Sequence, residues 1–351
     1  MEHGIAETIS DLLLLTAKRQ DSEDTMAQSS ASLLVGACAG LVSALLSLSA
    51  GQPSLLSIFL LAAAALPVLI ASLGWGNNAG IAAVLSAGLV IAIITGPMAA
   101  LLFTTTTLVP SAWIGHLTTL ARPAEEIGGP AGSVVWFPLS GILAQLCGLV
   151  TVGLVILGFA VGYGEEIVSE IVETFVALMV QQNPTYAPSE IGIEQMQQFF
   201  LLAMPAVQGS IWVLILFAAH YIACAIVRRS ARMGRPKDDI PATLRMTRNS
   251  MFVFGAGLVL TFLPGVPALI GSALTGAYAA GFLMAGFAML HDRTRGKSWR
   301  GLALSLCYVS VILFTLPIVL FLIAGLIDAS RRSGRPDMPG NVPPANPPAN
   351  T

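Results

Sequence analysis

Charge is scarce in this chain. Asp, Glu, Lys and Arg together make up 10% of its 351 residues, where soluble globular proteins carry roughly 25%. A chain so poor in charge cannot clothe itself in hydrated surface, and a soluble globular domain is excluded. The charge present is balanced, with 17 Lys and Arg against 19 Asp and Glu and a net charge of -2, so no basic field exists to hold nucleic acid. Cysteine is scarce as well. Cys38, Cys147, Cys224 and Cys307 lie in four separate apolar segments, with no CxxC pair and no histidine at ligand spacing; they read as small apolar thiols, and neither metal nor cofactor is expected. Walker A, GxSxG and HExxH motifs are all missing, so the chain is expected to have no ATPase of its own and to be no enzyme. Nor does any Asp, Glu, Lys or Arg enter the central turns of an apolar segment, Asp292 and Asp328 standing at segment ends. Proton relays and pumps commonly need such a residue; passive or partner-energised transport does not.

What the chain has in abundance is apolar length. Hydrophobic residues make up 55% of it, and the mean hydropathy is +0.79. A membrane-spanning helix needs about 20 apolar residues, and nine segments approach that: 33–50, 54–73, 79–96, 98–117, 137–163, 203–227, 251–264, 266–290 and 302–327. Lipid offers no partners to backbone groups, so these segments are helices. The fold class is all-α, a polytopic transmembrane bundle of eight to nine spans. The count turns on 251–264, which either enters and leaves on one side or starts near Leu244 and crosses. Residues 32–328 form the membrane domain, 1–31 a polar cytoplasmic segment, and 329–351 a proline-rich disordered tail. Met26, ahead of Ala27-Gln28-Ser29-Ser30, offers a second start of translation, and no removed signal peptide is expected.

Positive charge sets the orientation. Residues 228–248 hold Arg228, Arg229, Arg232, Arg235, Lys237, Arg245 and Arg248, and 293–300 hold four more basic residues; both stretches, with the N-terminus, are expected in the cytoplasm of a bacterial inner membrane. Residues 164–202 have no Lys or Arg but six glutamates. Ile167, Val168, Ile171, Val172 and Phe175 recur among those acids at helical spacing, Asn183-Pro184 marks a turn, and Ser189 is placed to cap a returning helix that runs into the sixth span. The expectation is a short extracytoplasmic helical hairpin. Trp75, Trp113, Trp136 and Trp299 fall at span ends, as an interfacial aromatic belt requires.

Uncharged polar residues supply the candidate ligand site: Trp75, Asn77, Asn78, Gln145, His220 and Tyr278. Interhelical hydrogen bonding competes for Gln145 and His220, and Thr104 to Thr107 are expected to bond back to their own turn. Gly36, Gly40 and Ala44 recur every four residues, as do Ala277, Gly281 and Ala285. Such faces bring helices together within a chain or dock a second protein. Arg232 and Arg235 complete the candidate docking residues.

Leu66-Pro67-Val68-Leu69-Ile70 leading to Gly74, the span closing at Gly96-Pro97, the stretch Gly286-Phe287-Ala288-Met289-Leu290-His291-Asp292-Arg293-Thr294-Arg295-Gly296, and Gly325-Leu326-Ile327-Asp328 followed by Arg331 resemble the YybS-like family of uncharacterised bacterial membrane proteins. That family is loosely similar to the substrate-capture components of energy-coupling-factor transporters and to the cell-shape protein MreD. The capture components have about six spans, and they lack a counterpart of the tail and the long hairpin. The resemblance implies a small-solute binding or transport subunit that depends on a separate energising partner such as an ATPase module. The alternative is an envelope scaffold that docks other membrane proteins through its small-residue faces and basic loops.

Overall fold

A computed structural model describes residues 29–49, 55–162, 164–183, 185–314 and 316–331. The second start at Met26 and the proline-rich tail beyond 331 lie outside them. Apolar segments become helices throughout: α1 (Ser29–Leu48), α2 (Leu55–Trp75), α3 (Asn77–Thr95), α4 (Pro97–Thr119), α5 (Leu139–Val161), α6 (Glu165–Gln182), α7 (Glu190–Arg229), α8 (Arg248–Leu260), α9 (Val266–Arg293), α10 (Arg300–Leu313) and α11 (Leu316–Arg331).

By length and composition α1, α3, α4, α5, α7 and α9 can each cross a membrane, and the α10–α11 pair raises the number to seven if it counts as one span. The segment read as one final span, 302–327, is two helices meeting at 119°. The 13 residues of α8 rise about 20 Å at 1.5 Å each, short of the roughly 30 Å hydrocarbon thickness. Helix α7 has the opposite excess, since 40 residues extend about 60 Å. Its front third continues beyond any bilayer that its apolar part spans. There it packs beside α6, whose Val168 and Val172 are buried while its glutamates stay exposed. The Ser189 hydroxyl accepts the Gly192 N–H at 3.2 Å, the N-cap that starts the returning helix.

One element goes beyond an all-helical reading. Residues 121–136 form a small antiparallel pair, β1 (Ala121–Pro123) and β2 (Val134–Trp136), which aligns Ala121 with Trp136. It draws the end of α4 to the start of α5.

Packing follows the small residues. Helix α9 lies at the centre against α5, α7, α8 and α11. A Cβ at Gly276 would fall on the Ala206 carbonyl of α7, and Cβ atoms at Gly286 and Gly325 would fall on carbonyls across the α9–α11 crossing. Serine hydroxyls fasten the crossings by donating to carbonyl oxygens of the neighbouring helix: Ser43 to Ala64 at 2.6 Å, Ser72 to Ala112 at 3.2 Å and Ser210 to Gly276 at 2.8 Å. In lipid, such close approach and such bonds drive helix association. Thr105 and Thr106 bond back to Leu101 and Leu102 at 2.9 and 2.8 Å, within a π-helical turn, Thr104–Leu108, that sits against Gly153 of α5.

Helix α7 ends in a Schellman motif. The Arg232 N–H reaches the Val227 carbonyl at 3.2 Å and the Ala231 N–H the Arg228 carbonyl at 3.1 Å. Ala231 holds φ 54°, a left-handed position that glycine occupies without steric cost. Ala231→Gly is therefore expected to stabilise the protein by about 1 kcal/mol, read as a rise in thermal midpoint in detergent.

Candidate functional site

Polar side chains gather at one end of the bundle, where α4 ends, α5 begins and α7 runs into residues 230–247. Their placement follows from spacing: His220, Cys224 and Arg228 stand four apart on one face of α7. His220 is buried, with Nε2 2.7 Å from the Thr118 hydroxyl oxygen. Thr118 in turn lies 2.6 Å from the Ile114 carbonyl. With the hydroxyl proton given to Ile114, Nε2 carries its own proton and donates to Thr118. Cys224 Sγ lies 3.5 Å from the same nitrogen.

Below this pair the loop folds back under the helices. Arg235, only 4% exposed, donates to both carboxylate oxygens of Asp238 at 2.9 and 2.8 Å and to the Phe137 carbonyl at 2.7 Å. Buried guanidinium charge is tolerated only when paired and hydrogen-bonded, and here it satisfies the carbonyl that opens α5. Two further ion pairs hold the loop. Asp239 takes Arg295 bidentately at 2.6 and 2.7 Å. Arg245, 3% exposed, reaches Asp292 at 3.3 Å and Asp328 at 3.2 Å, tying the loop to α9 and α11.

Hydrogen bonds from Arg295 hold the Asp239 carboxyl below its usual range. A lowered native pKa contributes stability above the ordinary Asp value of about 3.9, and the contribution is lost as pH falls through the native value. Amides 239–244 are accordingly expected to lose hydrogen-exchange protection on acidification, and Asp239→Asn to show the unprotected rate already at neutral pH.

Beside the latch, Leu139, Phe217, His220, Tyr221, Cys224, Arg228, Lys237, Asp238 and Ile240 line an open pocket of about 30 Å³. That is room for about two waters, or for the oxygens of one small group. Arg228 Nε is buried there with no hydrogen-bond partner among the described residues.

The candidate ligand residues do not converge. His220 lines the pocket. Trp75 ends α2 at the same end of the bundle, with the Arg232 guanidinium 4.4 Å above its ring, and Asn77 and Asn78 are exposed at the start of α3. Gln145 is exposed on the outside of α5 and does not line this pocket. Tyr278 is buried deeper, its hydroxyl 3.5 Å from the Ala144 carbonyl.

Of the docking candidates, Gly36 and Gly40 face α3, where their Cβ atoms would meet Ala79 and Ala83 carbonyls, and Ala44 is buried with them. Arg235 is buried in its own latch, which leaves Arg232 as the one exposed member. Sequence reasoning missed Thr118, Tyr221, Cys224, Arg228, Lys237 and Asp238. The four-residue spacing of 220, 224 and 228 and the Arg235-x-x-Asp238 pair were the signals that could have found them.

Fold and composition thus define a multi-pass helical membrane protein. The sequence model of the DUF2232 family, described as predicted membrane proteins, matches residues 41–329, and the chain belongs to that family. No curated protein and no solved structure matches it. The family match fits the expected membership of an uncharacterised membrane-protein family; it carries neither the YybS-like likeness nor the one to capture components or MreD.

Proposed function

We propose that the chain is a non-enzymatic membrane subunit that binds a small anionic solute at the Arg228 end of the bundle and depends on a separate energising partner for transport. One observation carries this reading: the pocket brings Arg228 and Lys237 together while the nearest carboxylate, Asp238, is already taken by Arg235. Uncompensated positive charge at a pocket suits an anion. The basic stretches 228–248 and 293–300 support a reading in which this end, with the N-terminus, faces the cytoplasm of a bacterial inner membrane and the α6–α7 hairpin the opposite side. The partner is inferred from a chain that has no nucleotide-binding loop, and the loose likeness to capture components adds an analogy.

The test is thermal stabilisation of the purified protein by millimolar phosphate, sulfate and carboxylates. A saturable rise in midpoint is expected, and Lys237→Gln with His220→Asn is expected to abolish it. If no anion shifts the wild-type midpoint, the reading fails.

Arg232 favours a second reading, an envelope scaffold. It is exposed and held by the Trp75 ring rather than by an acid, a cation free to meet an acidic partner. Arg232→Glu should then lose a co-purifying protein; a solute binder keeps its anion response.

A further inference from the structure

We propose that the pocket between α5, α7 and residues 237–240 seats the phosphate of an anionic phospholipid headgroup. The inference deepens the binding reading above and rests on it, adding which anion and from where it enters.

Charge comes first. Three ionised side chains line the pocket, Arg228, Lys237 and Asp238, and Asp239 follows in sequence. Asp238 closes on Arg235 and Asp239 on Arg295, so Arg228 and Lys237 are left facing the cavity without a carboxylate. Arg228 Nε is a buried donor with no acceptor among the described residues. A phosphate supplies several acceptor oxygens, and guanidinium donors match it in planar, charge-assisted geometry.

Depth comes second. Arg228 is the last residue but one of α7. Trp136 packs against Gly234 close by, and Trp75 lies under Arg232. Tryptophan and arginine at the end of a span mark the level of headgroups.

The opening decides between a lipid and a free solute. Tyr221 lines the pocket and is 50% exposed, and Leu214, Ile222 and Ile226 of the same helix are exposed beside it. The exposed Tyr221 on its rim joins the pocket to an apolar flank of α7. Acyl chains can lie along that flank while the phosphate reaches Arg228. A water-soluble phosphate gains nothing from that flank. Basic pockets between helices near the membrane surface bind anionic headgroups on this principle.

The test is native mass spectrometry of the full chain released from nanodiscs of phosphatidylcholine with a minor fraction of phosphatidylglycerol. Parallel samples contain glycerol 1-phosphate or inorganic phosphate. One phosphatidylglycerol is expected to be retained in preference to phosphatidylcholine, with a loss of roughly fivefold per cation removed in Arg228→Gln and Lys237→Gln. Arg228→Lys, which keeps the charge, is expected to retain most of the preference and guards against a folding artefact. Arg229→Gln, an exposed neighbour, should change nothing; a loss there equal to that of Arg228→Gln would mean general surface attraction and overturn the proposal. Binding of the soluble phosphates with no preference for phosphatidylglycerol overturns the lipid inference and leaves the anion reading standing. Retention of no anion of either kind overturns both.

Discussion

Asp292→Asn combined with Asp328→Asn is expected to destabilise the protein more than removal of the arginine that both carboxylates serve. Arg245 is 3% exposed, and without these two acids its guanidinium becomes a buried charge stripped of both ion pairs. Breaking a buried pair in that way costs about 3 to 5 kcal/mol. Arg245→Met takes the buried charge away instead. It leaves Asp292 and Asp328 with side chains 39% and 15% exposed, so water can solvate them in part, and the loss should be the smaller of the two. Adding Arg245→Met to the double Asn variant should recover most of the loss, because the three-way cluster is then uncharged. Unfolding midpoints of the four proteins in one detergent, treated as a mutant cycle, check the order. If Arg245→Met is the worst of them, Arg245 acts by filling space and the ion-pair account fails.

Gly276→Val is expected to give the second large effect. A Cβ at 276 lands on the Ala206 carbonyl, and Ser210 donates to the carbonyl of Gly276 itself at 2.8 Å. The obstacle is backbone of α7 rather than the end of a flexible side chain, so no rotamer change relieves it and the two helices must separate. Overpacking a fitted contact costs about 1 to 3 kcal/mol or more, and here it also strains the serine bond. Gly255→Val is the matched control, because nothing lies within 4 Å of a Cβ at that position. The expected outcome is a large fall in monodisperse yield and midpoint for Gly276→Val and near wild-type behaviour for Gly255→Val. Equal behaviour of the two would show that the α7–α9 crossing is looser than described.

Both effects bear on what could be seen in the sequence. Helices were legible because lipid removes every alternative for an apolar backbone, and Ser189 was legible as a cap because capping is local. Small-residue ladders were legible as close-packing faces, yet whether Gly36 and Gly40 meet a helix of the same chain or another protein depends on which helices come together, which four-residue spacing does not encode. The α10–α11 bend was missed because apolar content is continuous across 302–327. The β1–β2 pair was missed because three-residue strands leave little pattern. At the site, residue type suggested the wrong emphasis. Gln145 looked like a ligand because it is polar in a span, but it sits on the outer face of α5. Arg235 looked like a surface cation because it lies in a basic loop, but its partners Asp238 and the Phe137 carbonyl take it into the interior. Arg228 looked like one more orienting charge, and only the closing of the neighbouring acids onto other arginines leaves it facing a cavity.

The central claim is that the Arg228 end of the bundle binds an anion and that a partner supplies the energy. Native mass spectrometry of the tagged protein, extracted gently from its own membrane, tests both halves at once. The account predicts one stoichiometric phosphate-bearing or other anionic species per chain, lost in Arg228→Gln, together with an ATPase-containing assembly. A bare chain with no bound anion, or one accompanied only by cell-wall or division proteins, would contradict it.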